Sequence, residues 1–190
     1  MAEDVTEPTF FYFAYGSNML TTRLRARCPS ARAFGPAQAF NHQLAFSKRS
    51  HDGSGKATLA PSAEVHDVVP GVLFEIDKSD LMALDEAEEQ GVGYDRFDAF
   101  NVQCVTRNQI IPHTTYIART HIAGLMPYDW YLALIIAGAR EHSLEESYVK
   151  HLTETPHKAD PLPDRPSRRA ALKALQEAGY VDESDVLRRR

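Results

Sequence analysis

The sequence predicts a mixed α/β fold of the α+β kind, with a mixed or largely antiparallel sheet that could curl into a small barrel. Several short segments are rich in β-branched and aromatic residues and are separated by Gly, Pro, Asp or Asn instead of by helices. Two longer segments show the 3, 4 spacing of amphipathic helices. The chain has 190 residues, of which 43% are hydrophobic and 25% charged, a composition typical of one globular unit with a sizeable core.

The first predicted element is a strand over residues 10–15, whose nearly continuous aromatic character indicates a central strand covered on both faces. A Gly-Ser-Asn turn follows at residues 16–18. Leu20 and Leu24 then predict a short helix, capped by the Ser or the Asn of the turn. Further strands are predicted over residues 39–47, 56–61, 68–76, 94–106 and 109–118.

Helical spacing is clearest over residues 79–88 and 128–142. Further helices are predicted over residues 144–154 and 168–178, with a Pro-rich stretch between them. The chain is therefore expected to divide into an N-terminal leader (1–9), a main domain (10–156) and a C-terminal Pro-rich arm with a helix (157–190).

Charge and hydropathy limit the classes of partner. The formal net charge of −5 argues against general nucleic-acid binding, and the basic C-terminal end is interpreted as a solvated tail. No apolar run approaches the roughly 18 residues that a membrane span requires. The acidic N-terminus lacks the pattern of a secretory signal, so a cytoplasmic location is expected.

The motifs of several enzyme classes do not occur. Cys28 and Cys104 are too few for a disulfide framework, and they are expected to be buried or half-buried thiols. The eight histidines form no zinc-binding pattern, Ser17 lies in no Gly-x-Ser-x-Gly elbow, and no Gly-rich phosphate loop is found. Neither a metal nor a cofactor is expected.

Two segments are candidates for chemistry. In the first, Tyr15, Gly16, Ser17 and Asn18 join a buried strand to a helix, where several backbone N–H groups can face one anion or oxyanion. Any tight strand-to-helix turn also selects such residues, so a purely structural role is the alternative.

The second segment ends at Glu88, which shares a helix face with Leu81 and Leu84 and is therefore directed toward the core. A carboxylate in that position can act as a proton carrier. The alternative is an ordinary salt bridge at a helix end. Asp85 lies on nearly the same face, as a second acid or as a hydrogen-bonded brace.

With these residues the chain resembles the gamma-glutamylcyclotransferase family. The segment 13–19, Phe-Ala-Tyr-Gly-Ser-Asn-Met, is similar to the N-terminal signature of that family. The segment 84–88, followed by Gly-Tyr-Asp-Arg at 93–96, is similar to the region that carries its catalytic glutamate, which places that role on Glu88. The resemblance extends from about residue 10 to about residue 156. One departure is that the family usually has Gly after this glutamate, whereas Glu89 and Gln90 follow here.

The resemblance implies a small mixed β-barrel flanked by helices and an enzyme that needs no cofactor. Such an enzyme releases 5-oxoproline from a γ-glutamyl amino acid by intramolecular aminolysis. Glu88 would act as the general acid and base, and the Gly16, Ser17 and Asn18 backbone would hold the γ-glutamyl group. Tyr15 would form a wall of the pocket, and Tyr116 or Tyr131 would contribute hydroxyls.

Other activities remain open at this stage. They are cyclotransfer from a γ-glutamyl amine or another γ-glutamyl metabolite, and ligand binding without catalysis. The resemblance also makes a homodimer reasonable, although no heptad pattern in the sequence supports one.

Overall fold

Five strands close into a barrel in a computed structural model that describes residues 8–64 and 66–188. The order around the barrel is β1-β5-β2-β6-β7, and β3 and β4 form a separate two-stranded sheet. The strands are β1 (Thr9–Ala14), β2 (Arg32–Phe40), β3 (His42–Arg49), β4 (Gly55–Pro61), β5 (Val68–Asp77), β6 (Tyr94–Cys104) and β7 (Gln109–Ala118). The predicted mixed sheet is confirmed, since β1 pairs antiparallel with β5 and parallel with β7.

One strand prediction was wrong. Residues 39–47 were expected to form a single strand, but Asn41 adopts a left-handed conformation (φ 58°) and separates β2 from β3. Most of β2 was missed because it contains Gly35 and Pro36, which usually interrupt strands. Here the register of β2 against β5 shifts between Ala33 and Gly35, which indicates a β-bulge at residue 34, and Gly35 and Pro36 directly after it pair with β5.

Six helices surround the barrel in the described part of the chain. They are α1 (Thr21–Arg25), α2 (Leu81–Ala87), α3 (Asp129–Glu141), α4 (Glu146–Thr153), α5 (Pro166–Glu177) and α6 (Glu183–Arg188). The sequence analysis did not predict α6. The predicted cap of α1 was also wrong, because Leu20 is its N-cap residue and offers no capping side chain, while the Thr21 N–H donates to Glu141 Oε2 at 2.8 Å.

Helix α3 is the central helix, and all of its residues from Trp130 to Ala139 are buried. It packs directly on a 3-10 turn, Ser17–Met19, that follows β1. Gly138 makes this possible, since a Cβ atom there would lie 2.5 Å from the backbone nitrogen of Leu20. The turn that carries the candidate site is therefore held between the barrel and α3.

The C-terminal segment lies on the main body, because α5 packs against α1 and α3 and α6 packs against α3. The boundary at residue 156 stays a prediction, and most of the leader, residues 1–7, lies outside the described residues. Arg189 and Arg190 of the predicted basic tail lie outside them as well. None of the helices described is both long and apolar enough to cross a bilayer.

Candidate active site

The end of β1, the 3-10 turn and the end of α2 meet at a small recess of about 30 Å³. Every residue that the sequence analysis placed in the site lines this recess. The lining residues are Tyr12, Tyr15, Gly16, Ser17, Asn18, Ala57, Glu88, Tyr94, Tyr116 and Tyr131. The recess continues into an outer chamber of about 460 Å³, because Ser17, Glu88, Tyr94 and Tyr131 line both cavities.

Glu88 lies at the junction of the two cavities, and its side chain is 15% exposed. One oxygen, Oε1, accepts a hydrogen bond from Asn18 Nδ2 at 2.7 Å and one from Arg27 Nη1 at 3.2 Å. Glu88 therefore forms a salt bridge, as the alternative interpretation of the sequence had it. It also lines the recess, as the catalytic interpretation requires. No hydrogen bond within the described residues occupies its Oε2 atom.

Asn18 fixes the position of this carboxylate. Besides the bond to Glu88, its Nδ2 donates to the Tyr12 hydroxyl at 3.0 Å, and its Oδ1 accepts from Arg27 Nη1 at 2.9 Å. The side chain that was expected to cap a helix instead joins the 3-10 turn, β1 and α2. Since Asn18 is almost fully buried, these bonds are shielded from water and define the orientation of Glu88.

The two residues after Glu88 point elsewhere. Glu89 binds Lys48 Nζ at 2.7 Å and His51 Nε2 at 2.8 Å on the outer chamber, and it does not line the recess. The hydrogen bond from Lys48 holds the pKa of Glu89 below its usual range. Gln90 is exposed. Of the three neighbours, Glu88 is therefore the one that faces the tyrosine-lined recess.

The 3-10 turn offers backbone donors to the recess. The N–H groups of Ser17 and Asn18 begin the turn, and neither has an acceptor among the described residues, as expected for the first N–H groups of a helix. Both residues are buried. An anionic or developing negative oxygen in the recess would satisfy such buried donors.

The tyrosine hydroxyls are largely engaged by the protein. Tyr15 donates to the carbonyl oxygen of Tyr116, and the Tyr116 hydroxyl donates to Asp85 at 2.7 Å. The Tyr131 hydroxyl accepts from the Ala57 N–H at 3.0 Å, and burial raises the pKa of Tyr131 to about 12. The hydroxyl groups of these tyrosines are therefore uncharged at physiological pH, and the side chains form the walls of the recess. Asp85, which also binds Arg96 at 2.6 Å, ties α2 to β6 and β7.

Sequence reasoning missed Tyr12, Arg27, Ala57 and Tyr94. Arg27 lies two residues after the end of α1, where the sequence pattern gave no signal, and Tyr94 had only its place in the family-like segment 93–96. Tyr12, Ala57 and Tyr94 come from different strands, and their position around Glu88 depends on closure of the barrel.

Cations outnumber carboxylates in the outer chamber. Its charged lining residues are Arg23, Arg27, Lys48, Lys56 and Arg165 with Asp52, Glu88 and Glu89. Pro166 and Ser167, the first residues of α5, form another part of its wall, so the C-terminal segment contributes to the cavity. No group of three or more His, Cys, Asp or Glu side chains in the described residues could hold a metal ion.

Comparison with known proteins identifies the family. The sequence model of the AIG2-like family matches residues 68–152. Human gamma-glutamylcyclotransferase is 34% identical over 161 residues, which cover 79% of this chain and 82% of the human protein. The mouse gamma-glutamylcyclotransferase is 33% identical and covers 76% of this chain and 77% of its own. The chain belongs to the gamma-glutamylcyclotransferase family. It is thus a member of an enzyme family whose expected barrel fold is confirmed.

Solved structures agree with this assignment. A structure described as gamma-glutamyl cyclotransferase superposes with a TM-score of 0.77 at 28% identity, covering 89% of this chain and 99% of the other. The departure at position 89 has a backbone feature of its own. Glu89 has a φ of 51°, a left-handed conformation that glycine adopts most easily. A charged residue thus occupies a position whose backbone conformation favours glycine, the residue that the resemblance led us to expect here.

Proposed function

We propose that this protein is a gamma-glutamylcyclotransferase that releases 5-oxoproline and a free amino acid from γ-glutamyl amino acids. The observation that carries the proposal is the position of Glu88, a mostly buried carboxylate between an open chamber and a recess whose backbone donors have no acceptor among the described residues. A substrate can place its γ-carbonyl in the recess and its leaving group in the chamber.

The reaction is an intramolecular aminolysis. The α-amine nitrogen of the substrate attacks the γ-carbonyl carbon, and the new C–N bond closes a five-membered lactam. The original amide C–N bond then breaks, and the leaving nitrogen takes up one proton. Because both reacting groups belong to one molecule, ring closure supplies the proximity that an enzyme otherwise arranges.

Glu88 moves the proton in this scheme. The α-ammonium group first loses one proton to solvent, which frees its nitrogen to attack. As the lactam forms, the carboxylate accepts the second proton from that nitrogen and returns it to the leaving nitrogen, and the released amine takes up one proton from solvent. Asn18 and Arg27 both bind Oε1, so Oε2 is the atom available for this transfer. Tyr15, Tyr116 and Tyr131 exclude water from the recess.

The oxygen of the tetrahedral intermediate needs hydrogen-bond donors. The N–H groups of Ser17 and Asn18 are suited to that role because they are buried and have no protein acceptor among the described residues. Gly16 precedes them in the same turn, and this backbone would hold the γ-glutamyl group.

The test measures 5-oxoproline release from γ-glutamyl-L-alanine by the wild-type protein, Glu88→Gln and Glu86→Gln. Loss of the general acid and base should lower kcat/KM by about 100-fold or more in Glu88→Gln. Glu86 is exposed on the same helix and gives a matched control that should retain activity. Unchanged turnover in Glu88→Gln would remove Glu88 from this role.

Absence of release by the wild-type protein, with retained binding of the γ-glutamyl compound, would instead favour the non-catalytic alternative. A cytoplasmic location and a homodimer, both expected from the sequence analysis, are part of the proposal. Light scattering on the purified protein measures its oligomeric state, and a monomer at the concentration of the assay would contradict the homodimer.

A further inference from the structure

We infer that Arg23 is a specificity-determining residue that binds the carboxylate of the leaving amino acid. This inference rests on the proposed function, and it assigns the outer chamber to recognition of the leaving group. It gives the amino acid named in the proposed function a binding residue of its own.

Charge pairing in the outer chamber distinguishes Arg23 from the other cations. Each of the others has a carboxylate partner in the protein. The pairs are Arg27 with Glu88 at 3.2 Å, Lys48 with Glu89 at 2.7 Å, Lys56 with Asp52 at 3.0 Å, and Arg165 with Asp160 at 2.7 Å. Arg23 has neither an ion pair nor a hydrogen bond with any residue that the structure describes, and its Nε atom is buried.

An unpaired guanidinium in this position is unfavourable for the protein alone. Burial, together with the nearby charge of Arg27, lowers the pKa of Arg23 to about 10. The side chain still carries its charge at neutral pH. Such a partly buried cation without a partner among the described residues raises the free energy of the folded state, and an incoming carboxylate would relieve this through a charge-assisted hydrogen bond.

The position of Arg23 fits the leaving group. Glu88 must reach the leaving nitrogen to protonate it, and Glu88 lies where the recess opens into the chamber that Arg23 lines. A substituent on that nitrogen therefore extends into the chamber. In an amino acid the carboxyl carbon is two bonds away from this nitrogen, so the carboxylate lies in the part of the chamber next to Glu88.

The end of α5 adds to the same electrostatic field. Pro166 and Ser167 line the chamber, and they begin a helix whose first turn contains no acidic residue. The amino-terminal end of a helix carries partial positive charge. Both Arg23 and this helix end therefore favour an anionic leaving group over a neutral or cationic one.

The experiment uses two substrates that differ only in the carboxylate. They are γ-glutamyl-L-alanine and γ-glutamyl-ethylamine, since ethylamine is alanine without its carboxyl group. Release of 5-oxoproline gives kcat/KM for the wild type, Arg23→Gln and Arg169→Gln. Arg169 lies on α5, is exposed and does not line the chamber, so it controls for loss of one positive charge.

The wild type should prefer γ-glutamyl-L-alanine by about 10- to 100-fold, the range expected for a hydrogen bond between charged groups. Arg23→Gln should lose this preference through a lower kcat/KM for γ-glutamyl-L-alanine, with γ-glutamyl-ethylamine unchanged. Arg169→Gln should behave as the wild type. Thermal unfolding without ligand should show Arg23→Gln to be at least as stable as the wild type, because the substitution removes an unpaired, partly buried charge.

Equal turnover of the two substrates by the wild type would overturn the subsite and leave the proposed function intact. An equal loss on both substrates in Arg23→Gln would also overturn it, because Arg23 would then act on the γ-glutamyl group or on Glu88. Absence of 5-oxoproline from either substrate with the wild type would contradict the proposed function and the subsite together.

Discussion

Replacement of Asn18 by Ala should destabilise the protein and reduce its activity at the same time. The side chain makes a hydrogen bond to Glu88 at 2.7 Å, one to Tyr12 at 3.0 Å and one from Arg27 at 2.9 Å. A bond between neutral groups contributes about 1 kcal/mol and a bond to a charged group about 1.5–3 kcal/mol. Because Glu88 and Arg27 still contact each other in Asn18→Ala, we expect a loss of about 2–4 kcal/mol instead of the full sum.

Urea denaturation measures this loss as a lower midpoint at an unchanged slope. The same preparation should show a lower kcat for 5-oxoproline release, since Glu88 is no longer held in one orientation. A loss of stability below about 1 kcal/mol would refute the view that this amide organises the site.

Asn18→Asp is the matched variant, because it keeps the shape of the side chain and adds a charge. The new carboxylate would lie against Glu88, and two carboxylates at that distance cannot both ionise without a large cost. We expect Asn18→Asp to be less stable than the wild type at pH 7. The difference should shrink as the pH falls toward about 5, because one proton shared by the pair removes the repulsion. A difference independent of pH would contradict the contact between positions 18 and 88.

Two further predictions concern stability. Gly138→Ala should lower the free energy of unfolding by about 1–3 kcal/mol, because the new Cβ would lie 2.5 Å from the backbone nitrogen of Leu20. At an exposed helix position the same substitution would raise the free energy of unfolding by about 1 kcal/mol, so urea denaturation distinguishes the two cases by the sign of the change. For Asp160, burial opposes ionisation, but hydrogen bonds from Arg165, the Leu162 N–H and Trp130 outweigh it and lower the pKa from 3.8 to about 2. The folded-state pKa is the lower one, so this carboxylate stabilises the protein above about pH 4, by about 2 kcal/mol, and the contribution disappears as the pH falls toward 2. Asp160→Asn should remove that part of the acid dependence in unfolding measurements between pH 6 and 3, and an unchanged acid profile would contradict the assignment.

The sequence predicted the fold best where local pattern and tertiary packing agree. The aromatic strand β1 and the long helix α3 are buried along their length, and their apolar character is visible without any partner. It failed at β2, where the Gly35-Pro36 pair has the local preference of a turn. Pairing with β5 across a bulge overrides that preference, and the strand partner is far away in the sequence.

By itself, the sequence determined that two segments of the candidate site face the interior. Tyr15, Gly16, Ser17 and Asn18 follow a buried strand, and Glu88 ends an amphipathic helix, so each faces inward for a local reason. Only the tertiary structure decided what these groups bind. The Asn18 amide contacts a carboxylate 70 residues later instead of capping its own helix, and Arg23 has no ion-pair or hydrogen-bond partner among the described residues. Hydrogen-bond and charge partners are fixed by closure of the barrel, which brings together side chains that no local preference connects.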